Sequence, residues 1–541
     1  MLRLLFFLGP LFVTAQSVVS PTVDSALTAL LMADIPSGAP GGALGIVRDG
    51  EIIYENYGGL ADLDNQRPIG PDTRFNIAST AKQFTALCIL QLAAGAKLSL
   101  EDDIRQYLPE WVNSRADTLT IRHLLTHTSG VRDVYNLWSL QGLTWWEEPL
   151  GNEDAFRLLL RQSDLNFPPG DRYAYSNSNY LLLTEIVARV SGQPFAAYAA
   201  QLFDDLGMPD TRFAVDRTQP APNLARPYFS FDTWVTYPLL SELHGDGALF
   251  TTLPDQLRYE QLLQDPSSLP SDLAALLRRS QQLPRTGPPD YGYGIEHTSY
   301  RGETVRLHYG STGAWKATFF RFPERNLSIF VANNSGKFFA ADLARDAADL
   351  MLPENTATAR YATVPKGTSN LPVDSLVGLY GVTQGFVMRI ARGAGDSLTL
   401  QRYGRPTVDL VRVRPGIYRA STDTTFYQAF DRAEDGTIEI TLFHPSHAPY
   451  TLAAFRGGTP MADPSKVSVG SWVNAETGVT LQFTAGPTPQ VIVRGDTLPT
   501  ESFGHGIYLT PGYVWLFGER DGRQGLYLFD DRLRWVRFVP E

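Results

Sequence analysis

Hydrophobic and polar positions change period several times along this chain, and each change marks an element. In GGALGIVRDGEIIYENYGG, residues 41–59, they alternate on either side of Asp49-Gly50. That pattern predicts two strands joined by a tight hairpin turn. Val23–Ala33, before it, reads as a helix. From Asn76 to about Gln264 the period is largely helical, broken by Gly, Pro and Asn turns. Strand patterns return at Val305–Tyr309, Ala317–Phe322 and Leu327–Asn333, and a helical one closes the series at Ala340–Met351. Two early strands, a helical block, three late strands and a closing helix predict an α+β fold. Its antiparallel sheet is flanked by helices and carries an inserted helical lobe, with a cleft between sheet and lobe.

Pro353–Pro372 is rich in Thr, Ala, Pro, Gly and Ser and reads as a linker. Beyond it, short alternating strands run to the end, with turns at Glu434-Asp435-Gly436 and Arg520-Asp521-Gly522. A weak internal repeat runs through this part. Gly378-Leu379-Tyr380 is echoed by Gly470-Ser471-Trp472, and Gly416-Ile417-Tyr418 by Gly506-Ile507-Tyr508. Phe430 before Asp435-Gly436 is echoed by Phe517 before Asp521-Gly522. The spacings run from about 86 to 92 residues. Duplicated four-strand halves closing into one lipocalin-like barrel would leave no exposed edges.

With 541 residues, 43% hydrophobic and 19% charged, the chain is globular and long enough for at least two domains. The segments expected are 1–16, 17–352, 353–372 and 373–541. A net charge of -11 with no polybasic run argues against nucleic acid as a partner. The first of these segments, MLRLLFFLGPLFVTAQ, has an arginine, an apolar run from Leu4 to Val13 and small residues at Thr14 and Ala15. This is the shape of a secretory signal peptide, too short to span a bilayer, and it predicts a secreted or periplasmic protein without an integral membrane segment. The single cysteine, Cys88, lies in an apolar helical run and reads as core packing.

That same run opens with the candidate chemistry. In FNIASTAKQFTALCILQLAAG, Ser79 and Lys82 are three apart, so on a helix the hydroxyl and the amine share a face. Taken alone, Ser-x-x-Lys arises by chance. Here Tyr175-Ser176-Asn177 follows in FPPGDRYAYSNSNY, and His308-Tyr309-Gly310 ends a predicted strand in TVRLHYGSTGAWKATFFRF. This order is that of the penicillin-recognising serine hydrolases. The chain resembles the class C β-lactamase-like family over roughly residues 22–352. That group includes β-lactamases, D-alanyl-D-alanine carboxypeptidases, D-aminopeptidases and esterases. GAKLSLEDDIRQYLPEW, IRHLLTHTSGV and HGDGALFTT support the likeness.

The resemblance implies a serine hydrolase working through an acyl-enzyme. Ser79 would be the nucleophile, with Lys82 and Tyr175 moving its proton. Asn177 and His308 would line the substrate site, and the Ser79 and Ser311 N–H groups would form the oxyanion hole. Gly310 suits a strand that a substrate backbone approaches closely. In β-lactamases the third motif is Lys-Thr-Gly or Lys-Ser-Gly; here it is His-Tyr-Gly. A neutral histidine and a bulky ring replace a fixed cation and a small hydroxyl, which favours peptidase or esterase chemistry over β-lactam turnover.

The expected substrate is a small molecule or peptide carrying a D-amino-acid amide or an ester. The alternatives are a β-lactamase or D-alanyl-D-alanine carboxypeptidase, or a receptor that binds penicillin or cell-wall peptide without turnover. No metal or cofactor motif is present. His123 and His127 read as structural, Trp145 and Trp146 as packing, and Ser129 and His244 without assigned roles.

Overall fold

The computed structural model describes residues 19–541 apart from 112–117, 146, 215, 217, 219–221, 289, 354–358, 362–364, 366–368, 445–446, 456–458, 461–468, 485–488 and 505. The expected signal peptide and Trp146 lie outside the described residues, as does much of the expected linker. Among the described residues no helix is long and apolar enough to cross a membrane.

Helix α1 (Pro21–Ala33) is capped by Ser20, whose side chain accepts from the Val23 N–H, and has proline at its first position. The hairpin follows as β1 (Gly42–Arg48) and β2 (Glu51–Gly58). Its turn residues Asp49 and Gly50 take φ of 53° and 80°, a conformation that suits Asp-Gly. Five further strands complete the sheet: β3 (Tyr291–Gly292), β4 (Ile295–Tyr300), β5 (Glu303–Thr312), β6 (Trp315–Phe322) and β7 (Leu327–Asn333). All neighbours are antiparallel, in the order β3-β4-β5-β6-β7-β1-β2. The first and last parts of this region therefore meet at β1–β7, and the helical lobe is the insertion between β2 and β3.

Four lobe helices matter for the site: α2 (Lys82–Ala94), α3 (Val134–Gln141), α4 (Asn177–Ser191) and α5 (Leu253–Gln264). Helix α2 is apolar all round and buried along most of its length, so it is a central helix and not an amphipathic one. Across the sheet's other face, α1 and α6 (Ala340–Met351) cover Leu44, Ile46, Val331 and Phe320.

The C-terminal part is all β, but its closure differs from the expectation. Over the described residues, strands from Gly378 to Ala453 form an eight-stranded meander. A bridge between Tyr380 and Ala454 brings its two ends together, giving a nearly closed barrel. The second repeat does not join it. Residues beyond Thr459 build a separate ten-stranded sheet curved as a half-barrel. Each repeat thus makes its own sheet, and the glycines that mark the repeat fall at equivalent places. Gly416 and Gly506 both precede a strand with φ of 72° and 74°.

The half-barrel and the helical lobe share one apolar core. Trp472, Phe483, Trp515 and Phe538 belong to the same buried cluster as Leu124, Leu137 and Leu158.

Candidate active site

Ser79 stands in a 3-10 turn, Ala78–Ala81, that runs straight into α2. The regular helix begins at Lys82, not at the serine. Ala78 is held at φ 48°, left-handed backbone that a non-glycine residue enters only at a cost, and its N–H donates to Asn76 Oδ1 at 2.9 Å. Strand β5 presses against this turn. A Cβ on Gly310 would sit 2.4 Å from the Ile77 carbonyl oxygen and 3.2 Å from the Ser79 nitrogen. The close approach anticipated from the sequence is thus made by the chain's own backbone. It brings Ser79 up against Ser311.

Lys82 is fully buried. Its Nζ lies 2.6 Å from the Asp246 carbonyl oxygen, 2.8 Å from Asn177 Oδ1 and 3.2 Å from Ser79 Oγ. Burial pushes the amine down to about 8; Asp246 opposes this, and Arg532 reinforces it. A neutral amine has two N–H groups and one lone pair. In that form, N–H groups given to Asp246 and Asn177 would leave the lone pair facing the Ser79 hydroxyl; in the protonated form Nζ donates to Ser79 Oγ as well. Asn177 is held in turn, because its N–H and Nδ2 donate to Asp133 Oδ2 at 2.7 and 3.0 Å. Asp133 is the N-cap of α3.

Tyr175 covers this group, its ring centre 4.9 Å from Lys82 Nζ. Burial pushes the phenol far above its ordinary value; the Ser79 hydroxyl, then the Arg532 guanidinium, act against that. Among the described residues its buried oxygen has no hydrogen bond of full geometry.

His308 belongs to a chain of rings. His127 Nδ1 lies 3.2 Å from the Ser176 N–H, a backbone donor, so it accepts. Its Nε2–H then donates to the Tyr291 hydroxyl at 3.2 Å, which donates to His308 Nε2 at 3.2 Å. His308 Nδ1–H donates to its own strand at the Tyr309 carbonyl oxygen, 2.8 Å away. Burial, with Lys82 nearby, drops His308 to about 3, so it is neutral across the physiological range. His127, expected to be structural, anchors this chain. Ser129 Oγ donates to Asn179 Oδ1 at 2.5 Å, and His244 Nδ1 sits 2.8 Å from the Glu242 carbonyl oxygen.

The expected residues converge. Ser79, Tyr175, Asn177, His308 and Ser311 line one cavity of about 440 Å3, with Lys82 behind Ser79 and Gly310 against the turn. Two acids and one guanidinium in its wall were not singled out from the sequence. Asp246 sits inside the HGDGALFTT stretch; Tyr135 donates to its Oδ2 at 2.8 Å, while its Oδ1 is buried with no partner among the described residues. Glu296 comes from β4. Arg532 comes from the half-barrel, in the loop between strands Arg523–Phe529 and Val536–Pro540. That loop is pinned to the lobe. Arg132 donates to the Trp535 carbonyl oxygen at 3.1 Å and to Glu476 at 2.9 Å, and Asn166 donates to the Arg532 carbonyl oxygen at 2.8 Å. Among the described residues no cluster of His, Cys, Asp or Glu could hold a metal ion.

Known proteins share this architecture. The family model described as Beta-lactamase matches residues 28–351. A D-aminopeptidase of Cereibacter sphaeroides strain KD131 is 29% identical over 378 residues, 68% of this chain and 70% of the relative. The octameric penicillin-binding protein homologue from Pyrococcus abyssi superposes with a TM-score of 0.54 at 21% identity, covering 80% of this chain and 99% of that one. The D-amino acid amidase from Ochrobactrum anthropi SV3 superposes with a TM-score of 0.52 at 20% identity, covering 61% and 99%.

Proposed function

We propose, from the premise that this chain belongs to the Beta-lactamase family, that it is a serine hydrolase cleaving the amide bond of small D-amino-acid amides or peptides through an acyl-enzyme on Ser79. Neutral Lys82 takes the Ser79 proton as Oγ attacks the carbonyl carbon. The N–H groups of Ser79 and Ser311 receive the oxyanion. Tyr175 and Lys82 together return the proton to the departing amine, and water then releases the acid by the reverse path. The observation that carries this reading is the fully buried Lys82 amine, lowered to about 8 and held between Asp246 and Asn177 with its Nζ 3.2 Å from Ser79 Oγ. The 29% identity to a D-aminopeptidase supports the substrate class.

Arg532 favours a second reading, a D-alanyl-D-alanine carboxypeptidase or β-lactamase. It puts in the cleft the permanent cation that neutral His308 does not provide, and a substrate carboxylate would pair with it.

Intact-mass analysis with a fluorophosphonate and, separately, a penicillin, run beside Ser79→Ala, tests the nucleophile. A stoichiometric adduct lost in the variant supports it. Fluorophosphonate labelling alone supports the amidase reading, and labelling by both supports the carboxypeptidase reading. Turnover of D-amino-acid amides separates an enzyme from a receptor that only becomes labelled. No adduct from either reagent overturns the hydrolase reading.

A further inference from the structure

A second cavity, of about 480 Å3, opens beside the first, and the two share Tyr173, Glu296 and Tyr309 in their walls. Its remaining lining includes Tyr300, Tyr361 and, at its exposed rim, Asp290. Glu296 projects from β4, where it pairs in register with Leu307 of β5, one residue before His308. It is therefore one strand away from the catalytic strand and stands where the two cavities meet.

The charges of this pocket do not balance. Glu296 has no ion-pair or hydrogen-bond partner among the described residues. Burial, then the Asp290 charge, push its carboxyl up to about 7, and no cation acts against them. Arg345 also lines the pocket but is already paired with Asp342. His297 is held neutral, pushed down to about 4 by burial and by Arg306 and Arg321. A partly buried carboxylate without a counter-ion, among tyrosine rings, suits an organic cation.

We propose that this pocket is a cation subsite in which Glu296 takes a primary ammonium of the substrate. The inference rests on the D-amino-acid amide reading above. Two sources supply that ammonium: the α-amine of an unblocked residue, held at the junction, or a basic side chain reaching deeper. The volume accommodates a lysine-length chain, while a substrate's scissile carbonyl stays in the first cavity.

Binding separates this inference from the catalytic one. The Ser79→Ala variant, which removes turnover, is titrated calorimetrically with D-lysine amide, D-norleucine amide and their Nα-acetyl forms. A tenfold or greater preference for D-lysine amide over D-norleucine amide, collapsing in Ser79→Ala/Glu296→Gln, assigns the pocket to the side-chain ammonium. Equal binding of the two, lost on Nα-acetylation and weakened by Glu296→Gln, assigns it to the α-ammonium. Binding that ignores both ammonium groups, a preference that survives Glu296→Gln, or no binding at all overturns the proposal. Hydrolysis of the same amides by the unaltered protein reports on the catalytic reading alone.

Discussion

The guanidinium of Arg532 lies 5.2 Å from the centre of the Tyr175 ring and 3.6 Å from the Asp133 carboxylate. Half-barrel and hydrolase lobe thus meet inside the cleft. Replacing Arg532 with methionine keeps most of the packing volume and removes the charge. We expect kcat/KM for a D-dipeptide with a free carboxylate to fall on the order of tenfold, the equivalent of about 1.4 kcal/mol. Steady-state kinetics on the dipeptide and on its amide check this. Equal losses would mean that Arg532 acts through Tyr175 and not on the substrate carboxylate.

Activity follows the charge on Lys82. Its amine sits at about 8, so the neutral base accumulates as pH rises, and kcat/KM climbs through that region. The ordinary value is 10.5, so the unfolded chain holds this proton to higher pH than the folded one does. Stability from this group therefore increases between about pH 8 and 10.5. Lys82→Arg cannot shed its proton and is expected to lose about 10²–10⁴-fold in kcat. A pH–rate profile on D-alanine amide, flat from pH 6 to 9, would remove lysine as the base.

Behind α2, Arg321 donates to Glu260 at 2.8 and 2.7 Å, to Gln83 at 2.8 Å and to Gln281 at 3.2 Å. Both members of the ion pair are buried. Glu260→Ala leaves the guanidinium uncompensated and is expected to cost about 3–5 kcal/mol in urea unfolding. The double variant Glu260→Leu/Arg321→Met should recover much of that loss. If the single variant were as stable as the parent, the pair would carry no structural weight.

Gly310→Ala tests whether strand β5 sets the position of the nucleophile. The added methyl meets backbone at Ile77, which cannot move aside as a flexible side chain would. We expect fluorophosphonate labelling of Ser79 to slow more than tenfold, with a stability loss of about 1–3 kcal/mol and an unchanged circular dichroism spectrum. A parent-like labelling rate would show that the turn is indifferent to this contact.

Features set by neighbouring residues were legible in the sequence. Leu327–Asn333 and Ala340–Met351 match their predicted spans because period and flanking turns agree locally. Ser79 and Lys82 meet because a spacing of three puts both on one face of the turn. Long-range relations outside those motifs were not legible. Arg532 sits in an unremarkable loop, and only the packing of the half-barrel on the lobe directs it to Tyr175. Glu296 reads as an ordinary polar strand position until its neighbours bury it. The repeat was visible, yet alternation specifies strands and not which edges meet. The Tyr380–Ala454 bridge closes the first repeat on itself and leaves the second to make its own sheet.

The loop that carries Arg532 follows Ser79 by about 450 residues. At roughly 5–20 residues per second, a ribosome needs on the order of 20–90 s to travel between them. Throughout that interval the nucleophile and its lysine exist without the guanidinium and without the sheet that completes their shared core. A cell making this protein therefore holds, for part of every synthesis cycle, a hydrolase whose cleft is unfinished.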